Sequence, residues 1–504
     1  TVGGQTTWDD TTKGKLIEGT YKFGMLQYTQ RFYAPDYLAD RLRVLLQNIG
    51  VTVFYGYHVS SVSYINNSNG RREITSVTFR PIRYGTTSGY YIEWDPTREN
   101  LTLNASFYAD CSVDGRLTRG ALYGVNPWSY GRYDWPTSVL PDAEEPYMYA
   151  VAQAMTLCVR LSGFPVTPNS GGKDIQWETH NGHHGGIYGK NAFLSTTSKL
   201  AALNRTLFTE TNMKIFMGPS NWAQEYPSPN VVWATGPHIV NVIAGDYEKD
   251  RGTPLSPRSN LYMSPSGLTV DQGYFMLRDE LLRGRYIEAL RADLNLPNLT
   301  LLAVAPHPYI RESFHIAKAA SSIAHGTESS NYVITPEHVI QSGASGTDGK
   351  DGWAYYERIG VAFYGIDHHG YRFTDHYDPN TGTFYWRPDV ERRLRPDLVN
   401  KYGRSWMTPK YGFYVPFRAL VSRYCANLLL AGYATQCSNI AWGALRVAPN
   451  LCILGDGAGA AVAVVMNKGY NRDLYTLIGN SSFETDLRNT LANVVAANLN
   501  LKTP

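Results

Sequence analysis

Residues 454–463 read Leu-Gly-Asp-Gly-Ala-Gly-Ala-Ala-Val-Ala. Glycines at 455, 457 and 459 run straight into small residues at helical spacing. Small side chains let a helix press closely against a sheet. The unpaired N–H groups of a helix start favour negative charge or an electron-rich carbonyl. The stretch is expected to be a turn leading into a helix whose N-terminus begins at the glycines. Such a helix either packs without touching a ligand or presents its first turn to one, and the neighbouring segments bear on which.

Upstream stand "VPFRAL" (415–420), "NLLLAG" (427–432) and "GALRVAPN" (443–450). The second is a short apolar strand that ends in a turn. At the other end of the chain, residues 36–48 carry apolar side chains at helical spacing and stop at Gly50. "VTVFYG" (51–56) is expected to be a strand, followed by two alternating strands, "VSSVSYI" (59–65) and "ITSVTFRP" (74–81), around a turn-rich "NNSNGRR". "ASFYADC" (105–111) is a further short strand ending at "SVDGRL". Between the two ends, residues 120–308 are rich in Pro, Trp and Tyr, with a long amphipathic helix expected over 269–294. A last amphipathic helix is expected over 482–498. Doubly wound folds bind ligands where strand-to-helix turns expose backbone N–H groups.

Together these segments resemble a family of FAD-dependent oxidoreductases with the two-dinucleotide-binding-domain fold. In that family an apolar strand ending in Ala-Gly is followed by Arg-x-x-Pro and a Gly- and Ala-rich helix facing the flavin. "FYADCSVDGRLTRGA" (107–121) is similar to the family's strand and Asp-Ala-Thr-Gly-Asp-Gly turn, and "AQAMTL" (152–157), "RES" (311–313) and "IDHH" (366–369) match further motifs in order. The resemblance implies an α/β fold: a Rossmann-like FAD-binding domain assembled from residues 1–120 and 411–504, with an α+β substrate or cap region, 121–410, inserted.

The resemblance also assigns roles. Gly3, Gly4 and Gln5 would lie beside the flavin or its ribityl chain, and Asp110 and Gly115 would mark the strand end near the adenosine half. Gly432 and Arg446 would line the cofactor. Gly455, Asp456, Gly457, Ala458 and Gly459 would present a helix N-terminus to the flavin C2 carbonyl, where a positive end stabilises the anionic reduced flavin. Asp456 is expected to compete for those N–H groups or to cap the helix. The family's Gly-Gly turn follows its GxGxxG unit, and "TVGGQTTW" (1–8) is expected to stand immediately after that unit. The pyrophosphate-binding fingerprint would then lie in a separate or cleaved segment, precede the numbered residues, or have been dispensed with. Departures from the family pattern are Asn439 where a His is common and Phe314-His315 where two Arg are common.

Composition sets outer limits. Apolar residues make up 43% and charged residues 18%, a globular balance. The formal charge of +3 gives no footprint for nucleic acid or an anionic membrane, and no run of consecutive apolar residues approaches a bilayer span. Six sequons, at Asn66, Asn100, Asn104, Asn204, Asn298 and Asn480, with 37 tyrosines and few lysines, favour a secreted glycoprotein. The five cysteines have neither zinc nor disulfide-framework spacing.

Two histidine clusters hold groups able to do chemistry: His180, His183 and His184, and Asp367, His368, His369, Asp375 and His376. Their spacing matches no compact metal site, so no metal is expected. His369 is the best-placed general base for removing a proton in step with hydride transfer, with Asp367 to orient it; a buried structural pair is the competing reading. The expected function is a secreted flavoprotein oxidoreductase acting on a small polar substrate, a sugar or related alcohol. The rival is a structural or assembly protein that keeps the fold without cofactor, and a carbohydrate-binding module is the weaker third. A homo-oligomer, an assembly partner or a separate N-terminal segment are the partners left open.

Overall fold

The computed structural model describes residues 35–84, 92–113, 115–122, 297–304, 334–341, 353–362, 364–366, 412–437 and 439–495. It also describes 22–23, 26–27, 128–130, 155–162, 186–187, 214–216, 232–239, 243–244, 262–263, 314–316, 377–378 and 383–384, with a few single positions. Within these residues the core draws on both ends of the chain, and the largest fully buried side chains include Trp442, Phe413, Phe417 and Phe483.

Helix α1 (Pro35–Asn48) opens with proline, whose missing N–H costs nothing in a first turn. It closes at Gly50, which adopts φ +79°. The Val51 N–H reaches back to Leu46 O at 2.8 Å and the Gly50 N–H to Gln47 O at 3.1 Å, the paired bonds of a Schellman stop. Strands β1 (Tyr57–Asn66) and β2 (Arg72–Tyr84) form a long antiparallel hairpin, to which β3 (Ile92–Trp94) and β4 (Leu101–Leu103) add along β2. The expected strand over 51–56 is not a strand. Val51, Val53, Phe54 and Tyr55 lie exposed outside any ladder, at 40–66% exposure. A β-branched run becomes a strand only where a partner strand takes its N–H and C=O groups in a ladder, and among the described residues no strand pairs with it.

The two ends of the chain meet at a parallel pair, β5 (Tyr108–Ala109), which leads into helix α2 (Arg116–Ala121), and a partner strand from the C-terminal part, Leu428–Leu429. Asn427 stitches this pair to β2. Its side-chain oxygen accepts from Ile74 N at 2.9 Å, and its amide donates to Ile74 O at 2.9 Å and Ser106 O at 3.2 Å. In the middle region β6 (Met155–Ser162), β7 (Gly186–Ile187), β8 (Lys214–Phe216), β9 (Val232–Ile239) and β10 (Thr300–Val304) form an antiparallel sheet in the order β7-β8-β9-β6-β10. Most of the helix expected over 269–294 lies outside the described residues.

Helix α3 (Pro336–Gln341) precedes the antiparallel strands β11 (Arg358–Ala362) and β12 (Phe413–Pro416); β13 is the strand Leu428–Leu429. Helices α4 (Asn439–Leu445), α5 (Ala448–Lys468) and α6 (Ser481–Thr490) complete the fold. α5 packs on β11 and α6. Its residues 450–468 have a mean hydropathy of 1.4, long and apolar enough to cross a membrane by length and composition alone. α6 is capped by Asn480, whose side chain accepts from Phe483 N at 3.1 Å, and the expected helix over 482–498 ends earlier, in a π-turn at Leu491–Val495.

Candidate functional site

The parallel strands β5 and β13 run side by side and leave the sheet together. β5 continues into Asp110, which is 2% exposed, and both of its carboxylate oxygens are engaged. Oδ1 accepts from the Ser112 N–H at 3.0 Å and its hydroxyl at 2.5 Å; Oδ2 accepts from the Thr118 N–H at 2.8 Å and its hydroxyl at 2.6 Å. A buried carboxylate with these partners fixes the turn from strand to α2. Gly115, at φ +58°, supplies the left-handed residue ahead of α2.

β13 continues into Gly432, which presses on the other strand's exit. A β-carbon there would lie 2.7 Å from the Cys111 carbonyl carbon and 2.9 Å from Ser112 O. Only a glycine lets two backbones approach this closely. The Tyr433 N–H then donates to Ser112 O at 3.2 Å, and the Thr435 hydroxyl holds the turn through Leu430 O and Gly432 O, both at 2.7 Å.

α4 carries the chain to Arg446, which is 2% exposed, and its N–H donates to Trp442 O at 2.9 Å. α5 starts at once. Its N-cap is Val447, 6% exposed, which offers no side-chain acceptor, and no acidic residue stands in the first turn. Among the described residues, the positive end of this 21-residue helix therefore has no carboxylate at its N-cap or in its first turn. Two further buried polar atoms in this connection, Gln436 Oε1 and Trp442 Nε1, have no hydrogen-bond partner among the described residues. A close backbone approach, a buried cation and a helix start without an anion suit a ligand rich in carbonyl and phosphate oxygens.

Residues 10–477 match the family model described as FAD dependent oxidoreductase. The chain belongs to the FAD-dependent oxidoreductase family. No curated protein matches it. Membership in the FAD-dependent oxidoreductases makes FAD the cofactor and implies a Rossmann-like FAD-binding α/β fold. The residues around Gly432, Arg446 and the start of α5 fit that cofactor, because they offer the donors and close approach it needs without a competing acid.

The structure corrects one assignment of this family's motif. α5 begins at Ala448, so Gly455, Asp456, Gly457, Ala458 and Gly459 lie in its second to fourth turns and not at its N-terminus. Asp456 consequently caps nothing. Burial pushes its carboxyl up to about 6. The glycines do separate jobs: a β-carbon on Gly457 would strike Ile359 Cδ1 at 2.4 Å, whereas Gly455 and Gly459 face open space. The helix starts early because Pro449 is pre-set for a first turn, and helical glycines at 455 and 459 cost less than breaking the chain's hydrogen bonds.

Asp110, Gly115, Gly432 and Arg446 are brought to one region by the parallel pair and the β13–α5 connection. Gly3, Gly4, Gln5, Asp367 and His369 lie outside the described residues, as do His180, His183, His184, His368, Asp375 and His376. Among the described residues no group of three or more His, Cys, Asp or Glu is arranged to hold a metal. Asn66, Asn100, Asn104 and Asn298 are exposed and Asn480 half-buried, and Asn204 lies outside the described residues. Burial pushes the Cys425 and Cys452 thiols up to about 12, which keeps both from acting as thiolates.

One titratable residue escaped sequence reasoning. His338 on α3 is held by its Nε2, which donates to Tyr414 O at 3.0 Å, and burial lowers its pKa. α3 is itself tied to the β13 turn, since the Ile334 N–H donates to Gln436 O at 3.0 Å. "PEHVIQ" offers no local signal of either contact.

Proposed function

We propose that this protein is a secreted, glycosylated oxidoreductase that removes hydride from a small polar substrate, a sugar or related alcohol, onto FAD held at the ends of β5 and β13. The reading divides the chain into an FAD-binding domain drawn from residues 1–120 and 411–504 and a substrate or cap region over 121–410. The observation that carries it is the junction at Gly432, where strands from the two ends of the chain leave a parallel sheet side by side. Crevices at the carboxyl ends of parallel strands are where nucleotides bind in such folds.

FAD, when bound, supplies the two-electron acceptor. The chain's own contribution is positioning and charge. Gly432 lets backbone approach the cofactor, Arg446 offsets negative charge, and the buried start of α5 adds a fixed positive potential. Asp110 keeps the turn into α2 rigid through its four bonds. His369 is the general base in this reading and Asp367 its orienting partner, so that the substrate proton leaves to an imidazole while hydride departs. Gly3, Gly4 and Gln5 line the flavin side.

Secretion is supported by exposed acceptors at Asn66, Asn100, Asn104 and Asn298, and a mobility shift on glycosidase treatment of the native protein would test it. The catalytic claim is tested by anaerobic mixing of the FAD-loaded protein with a panel of sugars and alcohols. Loss of the visible flavin absorbance with at least one substrate is expected, and His369→Asn should slow it without lowering flavin content. A loaded protein that no such substrate reduces would favour the non-catalytic reading of the same fold.

A further inference from the structure

Two side chains in the β13–α5 connection, Trp442 and Gln436, bury polar atoms that the described residues leave without partners. Trp442 is wholly buried and Gln436 is 3% exposed. A buried indole N–H with no acceptor leaves its desolvation uncompensated, and such groups are uncommon in folded proteins. Neither residue is loosely held. The Trp442 ring packs edge-on against Tyr433 at 5.0 Å between centroids, and Tyr433 directly follows Gly432 and is bonded to Ser112 O. The backbone of Gln436 is fixed on both sides, its N–H donating to Ala419 O at 2.9 Å and its carbonyl accepting from Ile334 N.

Both residues are thus anchored beside the strand exits, and each carries one unused hydrogen-bonding atom, a donor and an acceptor. We propose that Trp442 and Gln436 are cofactor-contacting residues: the indole N–H donates to an oxygen or ring nitrogen of bound FAD, and the Gln436 amide takes a complementary polar group of the same molecule. Their unmet hydrogen bonds are then met by the ligand. This rests on the reading that FAD binds at the ends of β5 and β13.

The test uses the full chain, stripped of flavin and titrated with FAD, with tryptophan fluorescence and the bound-flavin spectrum as readouts. Trp442→Phe keeps an aromatic ring against Tyr433 and removes the N–H together with the five-membered ring that carries it, so its flavin-free form loses some melting temperature to the cavity left behind. Its dissociation constant for FAD should rise by about five- to thirtyfold, the usual effect of losing one buried hydrogen bond. Gln436→Met, close in volume, removes the amide without leaving a cavity; its dissociation constant for FAD should rise in the same range while its flavin-free form melts no lower than the flavin-free wild type, because no internal bond is lost. Unchanged FAD affinity in both variants overturns the proposal. So does a lower melting temperature of flavin-free Gln436→Met with affinity retained, which would mean that this amide is bonded within the protein. A wild-type chain that takes up no FAD overturns the underlying reading and this inference with it.

Discussion

Gly457 on α5 lies beneath Ile359 on β11, so that a β-carbon on the glycine would come within 2.4 Å of Ile359 Cδ1. The relationship is reciprocal. Gly360 on the strand accommodates Ile453 from the helix, with a β-carbon there falling 2.5 Å from Ile453 Cγ2. Helix and strand interlock through two glycine notches, each filled by the other's isoleucine. Gly457→Ala should therefore destabilise the protein by about 1–3 kcal/mol, the usual range for overpacking a filled core. Adding Ile359→Val should recover part of the loss, because the two positions share one space. Denaturant unfolding of the two single variants and the double variant checks it; additive losses would contradict the interlock.

The neighbouring glycines should behave in the opposite way. Gly455 and Gly459 lie inside α5 with nothing near a β-carbon. Gly455→Ala and Gly459→Ala should each stabilise by about 0.5–1 kcal/mol through helix propensity alone. Because these positions are not the start of the helix, flavin content should match the wild type. Melting temperature and flavin stoichiometry on the two variants decide the matter.

Gly432 has no such freedom, since its neighbours at 2.7–2.9 Å are backbone atoms of Cys111 and Ser112. Gly432→Ala should cost about 2 kcal/mol or more, because backbone cannot rotate away as a side chain can. It should also reduce bound FAD, by prising β13 from β5. A variant of wild-type stability and flavin content would refute this account of the strand exits.

Asp456 supplies the pH test. Burial raises its pKa from 3.8 to about 6, so the folded protein favours the protonated form. Below about pH 4 both folded and unfolded chains are protonated there, and the residue brings no penalty. As pH rises from about 4 to 6 the unfolded chain ionises first, so the fold loses stability over that window and carries the full penalty above it. Asp456→Asn should thus stabilise at neutral pH by about 1 kcal/mol, a value reduced from the full shift because the side chain is partly exposed to screening solvent. The gain should vanish near pH 4 in unfolding curves taken across that range.

Much of the frame was legible in sequence. α1 could be read from its spacing and its Gly50 stop, and the β1–β2 hairpin from alternation around "NNSNGRR", because both depend on local geometry. Strand existence at 51–56 was not legible, since alternation and β-branching state a preference that only a partner strand can satisfy. The start of α5 was misread for a related reason. Glycines suggest a turn, but Pro449 and the surrounding hydrogen bonds set the boundary, and the same glycines serve packing against Ile359. The motif singles out Gly432 and Asp110, yet what the structure shows of them, a backbone contact and a four-bond turn lock, is tertiary. Trp442, Gln436 and His338 gave no local sign at all, because their significance lies in what surrounds them after folding.

The most direct test of the account is the flavin content of the native protein, measured by its visible absorbance spectrum and by flavin released with acid and quantified against protein. The account predicts stoichiometric FAD, either as purified or after reconstitution, with a marked fall in Gly432→Ala. Folded protein that carries no flavin and cannot be loaded with FAD would contradict it.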